Sequence, residues 1–131
     1  MCMRCHAING AGAQVGPDLS DVALKYSKED IITSVLEPSV RIADGYKTAT
    51  FEMRSGVILS GLVKRENKDE VILYDASGEE KRVEKADVQT RTESKLSLMP
   101  AGQAALLTKE EFADLIAYLT TLRGSPGGKR P

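Results

Sequence analysis

The chain predicts an α+β fold, a helical domain interrupted by a small antiparallel β insert of about five strands. Three observations predict it. Two segments with helical spacing, "SKEDIITSVLEP" and "TKEEFADLIAYLTTLRG", each open on a capping-box signature. Between them, from about Tyr46 to Glu93, the chain breaks into short β-type runs separated by turn residues. Ahead of both, the first 26 residues carry Gly10, Gly12, Gly16 and Pro17 and read as loop.

In the first helix Ser27 is the cap and Asp30 occupies the reciprocal position. Ile31, Ile32, Val35 and Leu36 form its apolar stripe, and Pro38 ends the run. The strand block reads as "KTATFEM", "VILSGLVKRE", "EVILYD", "EKRVE" and "DVQTRTE", joined by "RSG", "NKD", "ASG" and "KA". Ala49, Phe51 and Met53 alternate with Thr48, Thr50 and Glu52, so this strand has one dry and one wet face. Five short strands on tight turns predict an antiparallel meander curled into a small barrel or sandwich. Basic residues along it, Lys64, Arg65, Lys81, Arg82 and Lys85, read as solvated strand edges. In the last helix Thr108 and Glu111 form the cap, and Phe112, Leu115, Ile116 and Leu119 the buried stripe. Gly124 is its expected stop, and "SPGGKRP" its disordered tail. The domain reading is therefore residues 1–45 and 94–123 for the helical domain, 46–93 for the insert and 124–131 for the tail.

Composition removes several function classes. With 18 basic and 19 acidic residues the net charge is -1, which gives no basic footprint for nucleic acid and no polybasic membrane anchor. No apolar run approaches the roughly 20 residues of a membrane span. Hydrophobic residues at 41% and charged residues at 28% fit a folded, soluble chain. A chain of this size buries only about two-thirds of its surface. A large apolar cofactor therefore adds usefully to its core.

The candidate chemistry is concentrated in "CMRCH". Cys2, Cys5 and His6 are the only cysteines and the only histidine of the 131 residues. Covalent haem attachment needs this pattern: two thiols add to the two porphyrin vinyl groups, and the adjacent imidazole falls under the iron. Three alternatives stand beside it. Zinc takes four Cys or His ligands, and this chain offers three. A redox dithiol belongs beside a βαβ pattern, which is missing. The fourth reading is a chance match of two ordinary cysteines.

With one histidine, bis-His ligation from within the chain is excluded. The sixth position falls to Met, Lys, Tyr, water or an open site. Met1 is terminal, Met3 lies inside the attachment loop, and alternation points Met53 into the strand core. Met99 remains, in the "SLMPAG" loop and stiffened by Pro100. The competing reading makes Met99 a flexible filler of a core gap.

The surroundings of these residues resemble class I c-type cytochromes. The Gly-rich loop after "CMRCH" ends in "GPDL", "MP" precedes the final helix, and "DLIAYL" resembles the C-terminal helix of that family. The resemblance implies a class I cytochrome c-like helical domain with one covalently attached haem c and its iron. It makes Pro17 the carbonyl acceptor for His6, places Leu19 against the haem, and makes His6 and Met99 the metal ligands. Arg41 and Tyr46, with Lys47, lie where such domains keep propionate partners; a plain polar loop is the competing reading. Class I cytochromes begin with a helix before the motif, and one residue stands there here, so the expected domain lacks that helix.

The ordered set "CxxCH", "GPDL", "LEPS", "IADGY", strand block, "SLMP" and "DLIAYL" resembles more narrowly the Planctomycete/Verrucomicrobium-type haem-binding domain, across about residues 2–122. That resemblance implies an electron carrier rather than an enzyme. It would form the C-terminal electron-accepting module of a longer exported or periplasmic protein, with its signal upstream. Its partners would be redox proteins or a fused dehydrogenase domain. The alternative is a haem-based sensor or binding module with a displaceable distal Met99, with a small peroxidase as the enzyme variant.

Overall fold

The structure is a computed structural model and describes residues 1–124. The tail expected to be disordered lies outside the described residues beyond Gly124. The chain divides into two compact units, Met1–Val40 with Ala101–Pro131, and Arg41–Pro100.

The first unit begins with a single 3-10 turn, Cys2–Arg4, and a two-stranded hairpin of β1 (Ala7–Ile8) and β2 (Ala11–Gly12). Asn9 and Gly10 connect the strands at φ 50° and 82°, the left-handed pair that a two-residue hairpin turn requires. The Asn9 N–H donates to Ser20 Oγ at 2.7 Å, and the Ser20 N–H to Asp18 Oδ1 at 2.7 Å. The Ser20 side chain and then its backbone hold the Asp18 carboxyl below its ordinary range.

Three α-helices follow among the described residues of this unit: α1 (Val22–Lys25), α2 (Lys28–Leu36) and α3 (Lys109–Leu119). Both expected capping boxes form. Ser27 Oγ accepts from the Asp30 N–H at 3.1 Å, and Thr108 Oγ1 from the Glu111 N–H at 3.1 Å. The Thr108 N–H donates back to Glu111 Oε2 at 2.8 Å. Helix α3 stops short of Gly124. The hydroxyls of Thr120 and Thr121 donate to the carbonyls of Ala117 and Tyr118, which satisfies the last turn locally. Gly124, at φ 75°, instead donates its N–H to the Ser20 carbonyl at 2.8 Å. Val22, Ile31, Ile116, Leu119 and Leu122 form the buried core, with Ile32, Val35, Phe112 and Leu115 packed against it.

The second unit is one five-stranded antiparallel sheet of β3 (Thr48–Met53), β4 (Ile58–Glu66), β5 (Glu70–Tyr74), β6 (Glu80–Glu84) and β7 (Val88–Glu93). Its order is β6-β5-β4-β3-β7. Four strands run as a meander, and β7 then returns to the free edge of β3, pairing Phe51 with Arg91 and Ala49 with Glu93. Ala49, Phe51, Val71, Leu73 and Val83 are its core, and Met53 packs against them. Thr48, assigned by alternation to the wet face, is buried, and its hydroxyl donates to the Leu96 carbonyl at 2.8 Å.

This architecture corrects the expected fold class. The dominant element is the five-stranded sheet, and the α-helices among the described residues are few and span four, nine and eleven residues. The class I helical cytochrome fold is not what the chain adopts. Nor does the sheet close into a barrel among the described residues. Closure requires ladder bonds between β6 and β7, which are its two edges. The sheet is nonetheless bent. Four flat strand spacings span about 19 Å, whereas the chain from Glu84 to Val88 reaches at most about 14 Å. The bend brings Glu66 of β4 to Lys85 Nζ at 2.8 Å and to Arg91 Nη1 at 2.9 Å. Repeated short strands fix pairing but not closure, which depends on how the edges meet.

Candidate functional site

The attachment motif is held by its own backbone. The N–H groups of Cys5 and His6 both donate to the Cys2 carbonyl, at 3.1 and 3.0 Å. The short 3-10 turn that results carries both thiols on one tight loop, with the imidazole immediately after it. Cys2 and Cys5 are free thiols, each partly accessible.

The Gly-rich loop returns to this turn through three bonds. The Ala13 N–H donates to the Met3 carbonyl at 3.1 Å, the Gly16 N–H to the Cys5 carbonyl at 2.7 Å, and the Leu19 N–H to the Ala7 carbonyl at 2.9 Å. They set Pro17 beside the His6 ring, where Nδ1 lies 2.7 Å from the Pro17 oxygen. A carbonyl oxygen only accepts, so Nδ1 carries the hydrogen and Nε2 presents its lone pair to a metal. Two glycines make room for this. A Cβ on Gly12 would lie 2.3 Å from the His6 carbonyl oxygen, and one on Gly16 would lie 2.8 Å from His6 Cε1.

These residues fit haem c. Two free thiols and an oriented imidazole are the donor set that thioether attachment and proximal ligation require. Among the described residues no three His, Cys, Asp or Glu side chains are grouped to hold a metal ion. Every strand pair is antiparallel, so the βαβ context of a redox dithiol is lacking among the described residues.

The structure thus brings Cys2, Cys5, His6 and Pro17 together. Leu19 joins the same unit, partly buried against the helical core. Met99, Arg41 and Tyr46 belong to the second unit. There Met99 is partly buried and its N–H donates to Ser97 Oγ at 3.1 Å. The Tyr46 N–H donates to the Ala43 carbonyl at 3.1 Å, and Arg41 is exposed. Sequence reasoning missed the roles of Gly12, Gly16 and Ser20. Glycine density after the motif was the available signal, but spacing alone does not say which glycine faces the imidazole.

No helix among the described residues is long and apolar enough to cross a membrane. No curated protein matches the chain. The family model described as Cytochrome c matches residues 1–74, a stretch holding the attachment motif, the proline-bearing loop and the first three strands of the sheet. That match spans more than half of the chain, and with the thiols and imidazole arranged as above, the chain belongs to the cytochrome c family, whose domains hold haem c and its iron covalently and carry single electrons.

Proposed function

We propose that this domain is a one-electron carrier in which His6 is the proximal iron ligand and Met99 the distal one. The observation that carries the reading is the 2.7 Å bond between His6 Nδ1 and the Pro17 carbonyl, set beside two free thiols. When bound, the haem supplies an iron that cycles between ferric and ferrous. Each residue then has a distinct part. The sulfurs of Cys2 and Cys5 form the two thioether bonds. His6 Nε2 donates to the metal, and the Pro17 carbonyl holds the Nδ1 proton, which fixes the tautomer and raises the basicity of the ring. Met99 would supply a thioether sulfur to the iron, chemistry that favours the ferrous state and would leave no open site for small ligands. Arg41 and Tyr46 serve the propionates.

The narrower assignment is the Planctomycete/Verrucomicrobium-type haem-binding domain, acting as the C-terminal electron-accepting module of a longer exported protein. The ordered motifs from "CMRCH" to "DLIAYL" support it. Its partners are redox proteins or a fused dehydrogenase domain. Transfer then needs only an exposed haem edge and a weak, transient docking surface.

The ferric and ferrous spectra of the haem-loaded chain test the carrier reading. A low-spin ferric state with the weak long-wavelength absorption of sulfur–iron ligation, inert to carbon monoxide when reduced, is expected. A high-spin ferric state that binds carbon monoxide on reduction would replace the carrier with a sensor whose Met99 is displaceable, or with a small peroxidase.

A further inference from the structure

We infer that Gly16 is a positioning residue for the His6 imidazole, its bare α-carbon forming the wall that sets the rotation of the ring. The inference rests on His6 being the proximal ligand. Three atoms of the ring crowd the place where a side chain at residue 16 would begin. A Cβ there would stand 2.8 Å from Cε1, 3.0 Å from Nδ1 and 3.3 Å from Nε2. The first distance is shorter than any ordinary carbon–carbon contact, and all three belong to one aromatic plane, so the ring has to turn or withdraw as a body. It has little freedom to do so. The Gly16 N–H is bonded to the Cys5 carbonyl at 2.7 Å, one residue before the imidazole, and the next residue, Pro17, accepts from Nδ1 at 2.7 Å. Residues 16 and 17 therefore act on the ring from two sides: the glycine by contact, the proline carbonyl by a directed bond.

The need at residue 16 is for absent volume, not for a left-handed backbone. Gly16 is not among the positive-φ glycines, whereas Gly10 is, at φ 82°. Nothing lies within 4 Å of a Cβ built on Gly10. The two positions separate ring contact from loop strain within one short segment. Gly16→Ala adds a methyl against the imidazole at an accessible backbone angle. Gly10→Ala adds a methyl to open space at a strained one.

Turning the ring lengthens the Nδ1–H···O bond, lowers the basicity of the ligand and removes support from ferric iron. The test compares haem-loaded parent, Gly16→Ala and Gly10→Ala chains by midpoint potential and by the iron–imidazole stretching vibration of the ferrous protein. Gly16→Ala is expected to raise the potential and lower the vibration frequency. Gly10→Ala is expected to lower thermal stability and leave both readings at their parent values. Equal shifts in the two variants, or none in Gly16→Ala, would overturn the inference. A second measurement needs no variant. The reduced parent, or its carbon monoxide adduct if the sixth position is open, is diamagnetic and is expected to show a strong proton cross-relaxation peak between Gly16 Hα and His6 Hε1, and its absence would also overturn the inference. A parent chain that carries no thioether-bound haem would instead sink the cofactor reading beneath it.

Discussion

His6 Nδ1 and the Pro17 carbonyl oxygen stand 2.7 Å apart although the residues lie eleven positions apart in the chain. The motif "CMRCH" supplies the imidazole, but the returning loop decides how it points. That return is tied down by the bond from Gly16 to Cys5 and the bond from Leu19 to Ala7. Orientation of the ligand is thus set by residues 16 to 19 of the returning loop as well as by the motif.

Pro17→Ala keeps the carbonyl and frees the backbone that aims it. A net hydrogen bond contributes about 1 kcal/mol, and a loosened one contributes less. The haem-loaded variant is expected to lose about 1 kcal/mol of unfolding free energy or less, measured by denaturant titration through haem absorption. Its midpoint potential is expected to rise, because a less basic imidazole supports ferric iron less well. An unchanged potential would mean that the bond does not act on the metal.

Ser20→Ala removes the acceptor for the Asn9 N–H and the hydroxyl that helps depress the Asp18 carboxyl. The hairpin turn is then held by its own backbone alone. The expected loss is about 1 kcal/mol, read as a lower melting temperature. Hydrogen exchange at the Asn9 amide is expected to accelerate more than exchange in α3.

Which parts of this molecule were legible follows from the range of the signals. The capping boxes at Ser27 and Thr108 are local, four-residue patterns, and both form as read. The strand segments are likewise local, since alternation and turn residues mark them. The attachment motif was legible because its chemistry lies in five consecutive residues. Fold class and closure were not. Closure depends on β7 pairing with β3 rather than with β6, and fold class on the sheet outweighing the short helices, long-range outcomes that no local pattern encodes. Thr48 shows the same limit: alternation assigns it to solvent, and its bond to the Leu96 carbonyl, 48 residues on, buries it. The end of α3 was misplaced because Thr120 and Thr121 satisfy its carbonyls before Gly124 is reached.

Phe51 is 1% exposed at the centre of the sheet core and lies under the Arg91 guanidinium at 5.3 Å. Phe51→Ala leaves a cavity in that core. The expected cost is about 3–5 kcal/mol, measured by denaturant titration of the haem-loaded chain through the far-ultraviolet signal of the sheet. Val57→Ala, at a position 52% exposed, is the control and is expected to stay within about 0.5 kcal/mol.

Glu66 accepts from Lys85 and Arg91, and those bonds hold its carboxyl below the ordinary value of 4.5. A depressed folded-state pKa stabilises the fold above the unfolded value, and that contribution is lost as the pH falls through the folded one. Glu66 is about one-third exposed, so solvent screening keeps the contribution below about 1 kcal/mol. Glu66→Gln is expected to lower stability at neutral pH and to flatten the decline below pH 4.5. Parallel stability curves for parent and variant across that window would show that the cluster contributes nothing.

Met99→Ala tests the distal ligand. The family match ends at residue 74, before this methionine, so its assignment rests on elimination of the other methionines and on the resemblance of the "MP" segment to that of c-type cytochromes. Three methionines besides Met99 are present, and Met53 is the instructive control because it packs against the sheet core. If Met99 sulfur ligates the iron, Met99→Ala abolishes the weak long-wavelength ferric absorption. It also lowers the midpoint potential, since the thioether favours ferrous iron, and opens the reduced protein to carbon monoxide. Met53→Leu preserves volume and is expected to change none of the three. Should Met99→Ala retain the absorption and stay inert to carbon monoxide, another group occupies the sixth position. Should the parent already bind carbon monoxide, Met99 is displaceable and the domain reports on ligands rather than passing electrons.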